Sequence, residues 1–405
     1  MKNSDALYLS AREASAELAI SPATLYAYVS RGLIRSEPSP DSRSHRYRAE
    51  DIRGLKQRRA PSPEPRGFKS FDPDLPVLDS AISTITEDGP IYRGVSCVDL
   101  AEKGTLEHAA TLLWDVTETD PFSADNGPHV SEEMRAVADA ARRAAPIDRA
   151  IAVLALAVSA DPGAFTRAPD GRAMVGARIL RLLVATMLNT PPSAEPLHLQ
   201  IAKAWAPEHK HAADLIRRAL VLLADHELNA STFTVRCAAS TGLNLYDAII
   251  AGLAALKGPR HGGAGVLASR LVRTLVDNDV APVIRERVAL GERFAGFGHG
   301  VYKHGDPRAI SLLDALTRAG AARKFTKEVP QSIAEATGEF VNIDYALAVL
   351  VHSLRLTAGG ELTLFAMARA VGWIAHACEQ LQHGRLIRPR ARYVGPALGR
   401  GFVSQ

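Results

Sequence analysis

Apolar residues recur at helical spacing in nine segments of this chain: Leu100–Leu113, Glu132–Arg143, Ile147–Ser159, Ala173–Met187, His211–Ala224, Tyr246–Leu256, Val266–Val276, Ile343–Leu356 and Glu361–Glu379. Helices with an apolar side must bury it, and here they have mainly each other to bury it against. The pattern therefore predicts a mainly α fold. With 405 residues the chain is long enough for two or three domains and an ample core. The longest apolar runs, Ile151–Val158 and Ala248–Leu256, fall well short of the roughly 20 residues that span a bilayer. Met1–Asp5 is not followed by a signal-type apolar core. A cytoplasmic protein without membrane attachment is expected. Cys97, Cys237 and Cys378 fit neither a disulfide framework nor a paired metal spacing, so they read as free thiols and no metal site is expected.

Charge and punctuation divide the chain. Residues 1–69 hold 13 Lys/Arg against 8 Asp/Glu, a net +5, whereas the rest hold 35 against 36. The basic excess thus belongs to the N-terminal segment and points to a separate task there. Ala60-Pro61-Ser62-Pro63-Glu64-Pro65-Arg66-Gly67 is an extended linker, because three prolines preclude a helix. Short strands are expected at Ala81–Thr86 and Pro90–Tyr92, around Glu87-Asp88-Gly89.

The chemistry gathers where apolar helices stop. The run Ala248–Leu256 reads as a buried helix ended by Lys257-Gly258-Pro259. His261 follows on a turn with Gly262 and Gly263, where another molecule can approach the backbone closely. The device recurs in Gly296-Phe297-Gly298-His299-Gly300-Val301-Tyr302-Lys303, followed by Asp306-Pro307-Arg308. Asn342-Ile343-Asp344-Tyr345 then puts a carboxylate at the head of an apolar helix. One histidine beside two glycines is more often a loop residue than a catalyst; recurrence changes that balance.

These segments resemble the citrate synthase family. The resemblance rests on Asp225-His226-Glu227-Leu228-Asn229-Ala230-Ser231-Thr232, Gly258–Ala264, Gly296–Arg308, Asn342–Asp344 and a closing Arg388-Pro389-Arg390, in the family's order, from about Tyr92 to Pro396. It implies a two-domain helical fold, with a large domain from 68–264 and 343–405 and a small domain at 265–342 that closes over it. It implies condensation of acetyl-CoA with oxaloacetate and water to citrate and CoA, the entry step of the tricarboxylic acid cycle, with no cofactor. Asp344 would be the base. His261 would donate to the thioester oxygen and His299 to the ketone oxygen of oxaloacetate. Arg308, Arg369, Arg388 and His226 would hold the oxaloacetate dianion, with Arg388 supplied by the partner of a homodimer. CoA would lie along Gly262, Gly263 and Gly298, with Lys303 near its phosphates.

Bland readings stand beside three of these. Arg388 sits among Arg385, Arg390 and Arg392 and also fits a solvated basic tail, while His226, between Asp225 and Glu227, also fits a structural hydrogen-bond hub. Arg369 on an apolar helix is better explained as a ligand, since an unpaired buried cation is costly. Arg260 and Gly300 depart from the family's usual residues beside the two histidines. Propionyl-CoA as acyl donor, giving 2-methylcitrate, remains an alternative, because one methylene is worth only about 1–3 kcal/mol.

At the N-terminus, Ser10-Ala11-Arg12-Glu13 has capping-box spacing, Ser21-Pro22 opens a second helix, and Gly32 ends it. Residues 1–60 resemble the winged helix-turn-helix of mercury-resistance regulators and excisionases. That resemblance implies DNA contact through Thr24 and Tyr26 on the second helix and Arg43, Arg46 and Arg48 on the wing. The alternatives are a docking module, or a regulator whose synthase-like part senses metabolites.

Overall fold

The computed structural model describes residues 8–18, 20–30, 32–39, 44–59, 78–391 and 393–395. The linker at 61–67 and Arg43 lie outside them. The chain divides into two compact units, Met1–Lys69 and Ser70–Gln405.

The first unit runs β1 (Tyr8–Ser10), α1 (Ala11–Leu18), α2 (Pro22–Ser30), β2 (Ser36–Pro38), β3 (His45–Arg48) and α3 (Ala49–Arg59). Its strands form an antiparallel sheet in the order β1-β3-β2. The capping box forms as its spacing requires: the Ser10 amide donates to the Glu13 carboxylate at 2.8 Å and the Glu13 amide to Ser10 Oγ at 3.3 Å. A small core of Leu9, Ala14, Leu18, Leu25, Ile34, Tyr47 and Ile52 holds the unit together.

The second unit opens with an antiparallel meander, β4 (Ser83–Thr86), β5 (Gly89–Tyr92) and β6 (Val95–Ser96). Helices follow: α4 (Cys97–Lys103), α5 (Leu106–Trp114), α6 (Glu132–Ala140), α7 (Pro146–Ala160), α8 (Pro169–Leu188), α9 (Leu197–Trp205), α10 (Ala212–Leu223), α11 (Ala230–Ala239) and α12 (Leu245–Leu256). Then come α13 (Gly263–Val276), α14 (Val280–Ala289), α15 (Pro307–Arg318), a π-helical turn (Lys324–Glu328), α16 (Val329–Thr337), α17 (Ile343–Ser353) and α18 (Gly360–His383). No described helix is long and apolar enough to cross a membrane.

Two differences from the sequence reading have local causes. The apolar run Leu100–Leu113 is two helices, α4 and α5. Gly104 adopts an extended conformation, and Thr105 starts a new helix by trading hydrogen bonds with His108. Helices α9, α11, α14, α15 and α16 were not among the nine periodic segments. In α15 the stripe Ala309, Leu312, Leu313 and Leu316 is intact, and the sequence reading passed over it; in the others the apolar stripes are shorter and tertiary packing decides them.

The core centres on α18, which packs against α5, α8, α10, α11 and α12 and is buried along most of its 24 residues. Helices α13 and α17 pack on each other and on α18. This brings the start of α13, the start of α17 and the first half of α18 together.

Candidate active site

Five chain segments converge on one cavity of about 190 Å³. His226 and Asn229 precede α11, and His261 and Gly262 lie between α12 and α13. His299 and Arg308 flank the start of α15. Asp344 stands in the first turn of α17, facing Phe365 and Arg369 of α18. Three larger cavities, about 550, 660 and 700 Å³, contain none of the residues predicted for the site. Chemistry rather than size marks this one.

Local hydrogen bonds place each group. Asn244 caps α12, and beyond Leu256 the chain turns sharply, the Gly262 amide donating to the Leu256 carbonyl at 3.1 Å. A Cβ on Gly262 would lie 2.4 Å from that carbonyl oxygen and 2.6 Å from Leu362 Cδ1, so only glycine fits there. His261 Nε2 then lies 2.8 Å from Ser231 Oγ. That hydroxyl accepts from Trp373 Nε1 at 3.2 Å. Its own proton can go either to His261 or to Asn229 Oδ1, which is 2.9 Å away and already accepts from the Thr232 amide.

The His299 turn is laced to the segment leading into Asp344. The Gly298 amide donates to the Phe340 carbonyl at 2.8 Å, the Asn342 amide to the Gly296 carbonyl at 2.9 Å, and Asn342 Nδ2 to the Gly298 carbonyl at 2.9 Å. Gly296 has φ +87°, and a Cβ there would meet Tyr345 Cβ at 2.7 Å. His299 Nδ1 accepts from the Val301 amide at 3.0 Å. Its ring proton is therefore on Nε2. Asn342 caps α17, its Oδ1 accepting from the Asp344 amide at 3.1 Å.

Electrostatics separate the groups by role. Burial and the nearby Arg369 cation lower His261 to about 4. Burial and Arg308 lower His299, and His226 is held well below its ordinary value by burial with Arg308 and Arg369. All three imidazoles are neutral at neutral pH. Burial pushes Asp344 up to about 6 against the opposing pull of Arg308, with Asp306 and Glu361 adding to the rise. It is a carboxylate at pH 7 with a raised affinity for a proton.

The two buried arginines differ. Arg308 Nε and Nη2 bind both oxygens of Asp306, at 3.0 and 2.7 Å, so most of its fork is already taken. Asp306 also accepts from the Ile343 amide at 3.2 Å, which ties α15 to the start of α17. Arg369 donates Nε to the Leu223 carbonyl at 2.9 Å and lies over the Phe365 ring, but its buried Nη1 has no partner. Burial lowers it to about 10, so it is still a cation at neutral pH.

Residues 73–390 match the family model described as citrate synthase, C-terminal domain. The chain belongs to the citrate synthase family. It is accordingly a condensing enzyme of the acyltransferase type. It is 32% identical to the citrate synthase of Haloferax volcanii, over 79% of this chain and 93% of that one. It is 30% identical to 2-methylcitrate synthase 1 of Corynebacterium glutamicum, over 75% of this chain and 88% of that one. Its fold matches the citrate synthase of Thermoplasma acidophilum, solved as a ternary complex with carboxymethyl coenzyme A and oxaloacetate. That match has a TM-score of 0.68 at 26% identity and covers 82% of this chain and 97% of that one.

Of the residues that the family resemblance singles out, His226, His261, Gly262, His299, Arg308, Asp344 and Arg369 line the cavity. Gly263 begins α13, Gly298 sits in the laced turn, and Lys303 is exposed. Arg388 is exposed beyond α18 and does not line the cavity. Arg260 and Gly300 are exposed beside their histidines. Sequence reasoning missed Ser231 and Asp306 as anchors, and Glu361 and Phe365 as lining. Ser231 could have been found, since it follows a helix-capping Asn229 inside a segment already singled out.

In the N-terminal unit, Thr24 Oγ1 lies 2.9 Å from Ser21 Oγ at the start of α2, and Tyr26 is exposed. Arg46 and Arg48 both pair with Glu37 and lie over the Tyr8 ring. The expected basic limb is thus partly neutralised by its own hairpin.

Proposed function

We propose that the chain condenses acetyl-CoA with oxaloacetate and water, giving citrate and free CoA. The observation that carries this is two neutral imidazoles and one carboxylate of raised proton affinity around a single cavity. The methyl group of a thioester is a very weak carbon acid. Its proton moves only if the enol oxygen is stabilised as it forms and the electrophile is already in place.

Asp344 takes the methyl proton. A Ser231 proton directed at His261 Nε2 leaves the His261 ring proton on Nδ1, to be donated to the thioester oxygen. His299 Nε2–H donates to the ketone oxygen, which makes its carbon electrophilic and then protonates the developing alkoxide. Arg369 offers its unpartnered Nη1 to a carboxylate, helped by His226 and the remaining Arg308 nitrogen. Water then hydrolyses the condensed thioester. Gly262, Gly263 and Gly298 give CoA access to bare backbone, with Lys303 near its phosphates. Closure of residues 265–342 over the rest excludes water from the enol. The exposed position of Arg388 supports its serving the cavity of a second copy in a homodimer.

Thiol release from acetyl-CoA in the presence of oxaloacetate tests the reading. Asp344→Ala is expected to lose at least about 10²-fold in kcat; a loss under tenfold would assign the base elsewhere. The 2-methylcitrate reading is kept because a 2-methylcitrate synthase is 30% identical to this chain. Specificity constants for acetyl-CoA and propionyl-CoA decide between them. DNA contact by the N-terminal unit is a separate proposal, supported by the net +5 of residues 1–69 and the exposed Tyr26. It requires duplex binding that weakens steeply with salt and is lost when Arg43, Arg46 and Arg48 are all replaced by alanine.

A further inference from the structure

One group in the cavity has no part in the chemistry above. Glu361, in the first turn of α18, is 2% exposed and lines the same cavity as Asp344 and His261. Its Oε2 is buried without a hydrogen-bond partner. A Cβ built on Gly265 would lie 3.1 Å from Glu361 Cγ and 3.7 Å from Asp344 Oδ1, so Gly265 lets the two acidic side chains come close on the same wall. An acid in a first helical turn is ordinary, because the helix dipole favours it there. That does not account for a carboxyl oxygen buried without a donor and next to a second carboxyl. Such an acceptor is costly unless something that enters the cavity brings a donor to it. Oxaloacetate is a dianion, and acetyl and propionyl groups are apolar beyond the thioester. None of them supplies a hydrogen-bond donor.

We propose that Glu361 makes this an acyl pocket for a short 2-hydroxyacyl thioester, its unpartnered oxygen accepting a hydrogen bond from the hydroxyl on the carbon that Asp344 deprotonates. Glu361 is a specificity-determining residue in this reading, which rests on the condensing activity proposed above. The hydroxyacetyl thioester is the simplest member of the class. It differs from the propionyl thioester only in carrying a hydroxyl where the other has a methyl, so the two have the same number of heavy atoms. A site built to bind a hydroxyl discriminates strongly against the analogue that lacks it, whereas an apolar pocket barely distinguishes the two.

The chemistry balances without an oxidant. One C–H bond of the hydroxyl-bearing carbon breaks and its proton goes to Asp344. The electron pair forms the new bond to the ketone carbon of oxaloacetate, whose oxygen takes a proton. Water then cleaves the C–S bond, its oxygen going to the new carboxylate and a proton to the CoA thiolate. The product is a tricarboxylate with hydroxyls on adjacent carbons.

The test measures kcat/KM for hydroxyacetyl-CoA, acetyl-CoA and propionyl-CoA with oxaloacetate. The wild-type protein is expected to favour hydroxyacetyl-CoA over propionyl-CoA by at least about tenfold. Glu361→Leu should reverse that order. Glu361→Gln, which keeps an acceptor, should preserve it, and Gln serves as the folding control for the larger change. Turnover of acetyl-CoA with no hydroxyacetyl preference, or a ratio unmoved by Glu361→Leu, overturns this inference and leaves the condensing activity standing. Absence of turnover with all three thioesters overturns both.

Discussion

The turns that carry His261 and His299 look alike in sequence, a histidine amid glycines after an apolar segment, yet they hold their rings by opposite means. His299 is fixed by main chain: the Val301 amide occupies Nδ1, and the turn is laced to the segment before Asp344. His261 is fixed by a side chain, with Ser231 on Nε2 and Trp373 behind it. The backbone-held ring has its proton position set by the fold itself. The side-chain-held ring depends on one hydroxyl. Two donors that do similar work on two substrates therefore differ in how easily a mutation can spoil them.

The strongest way to break this comparison is to remove each ring. His261→Ala and His299→Ala are each expected to lower kcat by about 10²–10³-fold. KM for oxaloacetate should rise in the His299 variant and KM for the acyl-CoA in the His261 variant. A rise of both constants in both variants would mean that the turns do not serve separate substrates.

Asp344, between the two rings, gives an effect of intermediate size. Its folded-state value of about 6 lies above the ordinary carboxylate value, so the folded protein holds the proton more tightly than the unfolded chain. Below about pH 4 both states are protonated and there is no cost. As pH rises from about 4 to about 6 the unfolded chain ionises first and stability falls, by roughly 2–3 kcal/mol. Asp344→Asn should therefore be the more stable protein in urea at pH 7.5, while losing activity. His261, lowered to about 4, acts with the opposite sign, costing stability as pH falls from about 6.5 towards 4. The acid limb of activity should lie near pH 6 and follow Asp344, not the imidazoles.

The smallest predicted change sharpens the contrast. Ser231→Ala should reduce kcat roughly tenfold, since one hydrogen bond is lost, with KM for oxaloacetate unmoved. The His299 ring has no equivalent weak point, because Nδ1 is held by the Val301 backbone amide, which no side-chain truncation removes; the one side-chain bond to its turn, from Asn342 Nδ2, reaches the Gly298 carbonyl and not the ring.

Helical content and the principal site residues were legible in the sequence because both follow local rules. Apolar spacing predicted α12, α17 and α18, and caps and glycines marked where His261, His299 and Asp344 emerge. The break at Gly104-Thr105 was not legible, because the apolar period runs straight through it and only the reciprocal Thr105–His108 cap shows the new start. The family resemblance made Arg308 a ligand of the oxaloacetate dianion. In the fold two of its nitrogens are committed to Asp306, two residues earlier, a pairing that spacing alone does not reveal.

By itself the sequence determined most of the long helices, and that two histidines on glycine-rich turns and an aspartate at a helix head stand at their ends, since capping and periodicity act over a few residues. Only the tertiary structure decided which nitrogen of each ring is anchored, which arginine is left unpartnered, and that Glu361 is buried beside Asp344. The Val301 amide on His299 is a local contact, but the others join residues distant in the chain, such as Ser231 with His261, 30 positions apart, and Leu223 with Arg369, 146 apart. They are set by how the helices pack, and no local rule encodes them.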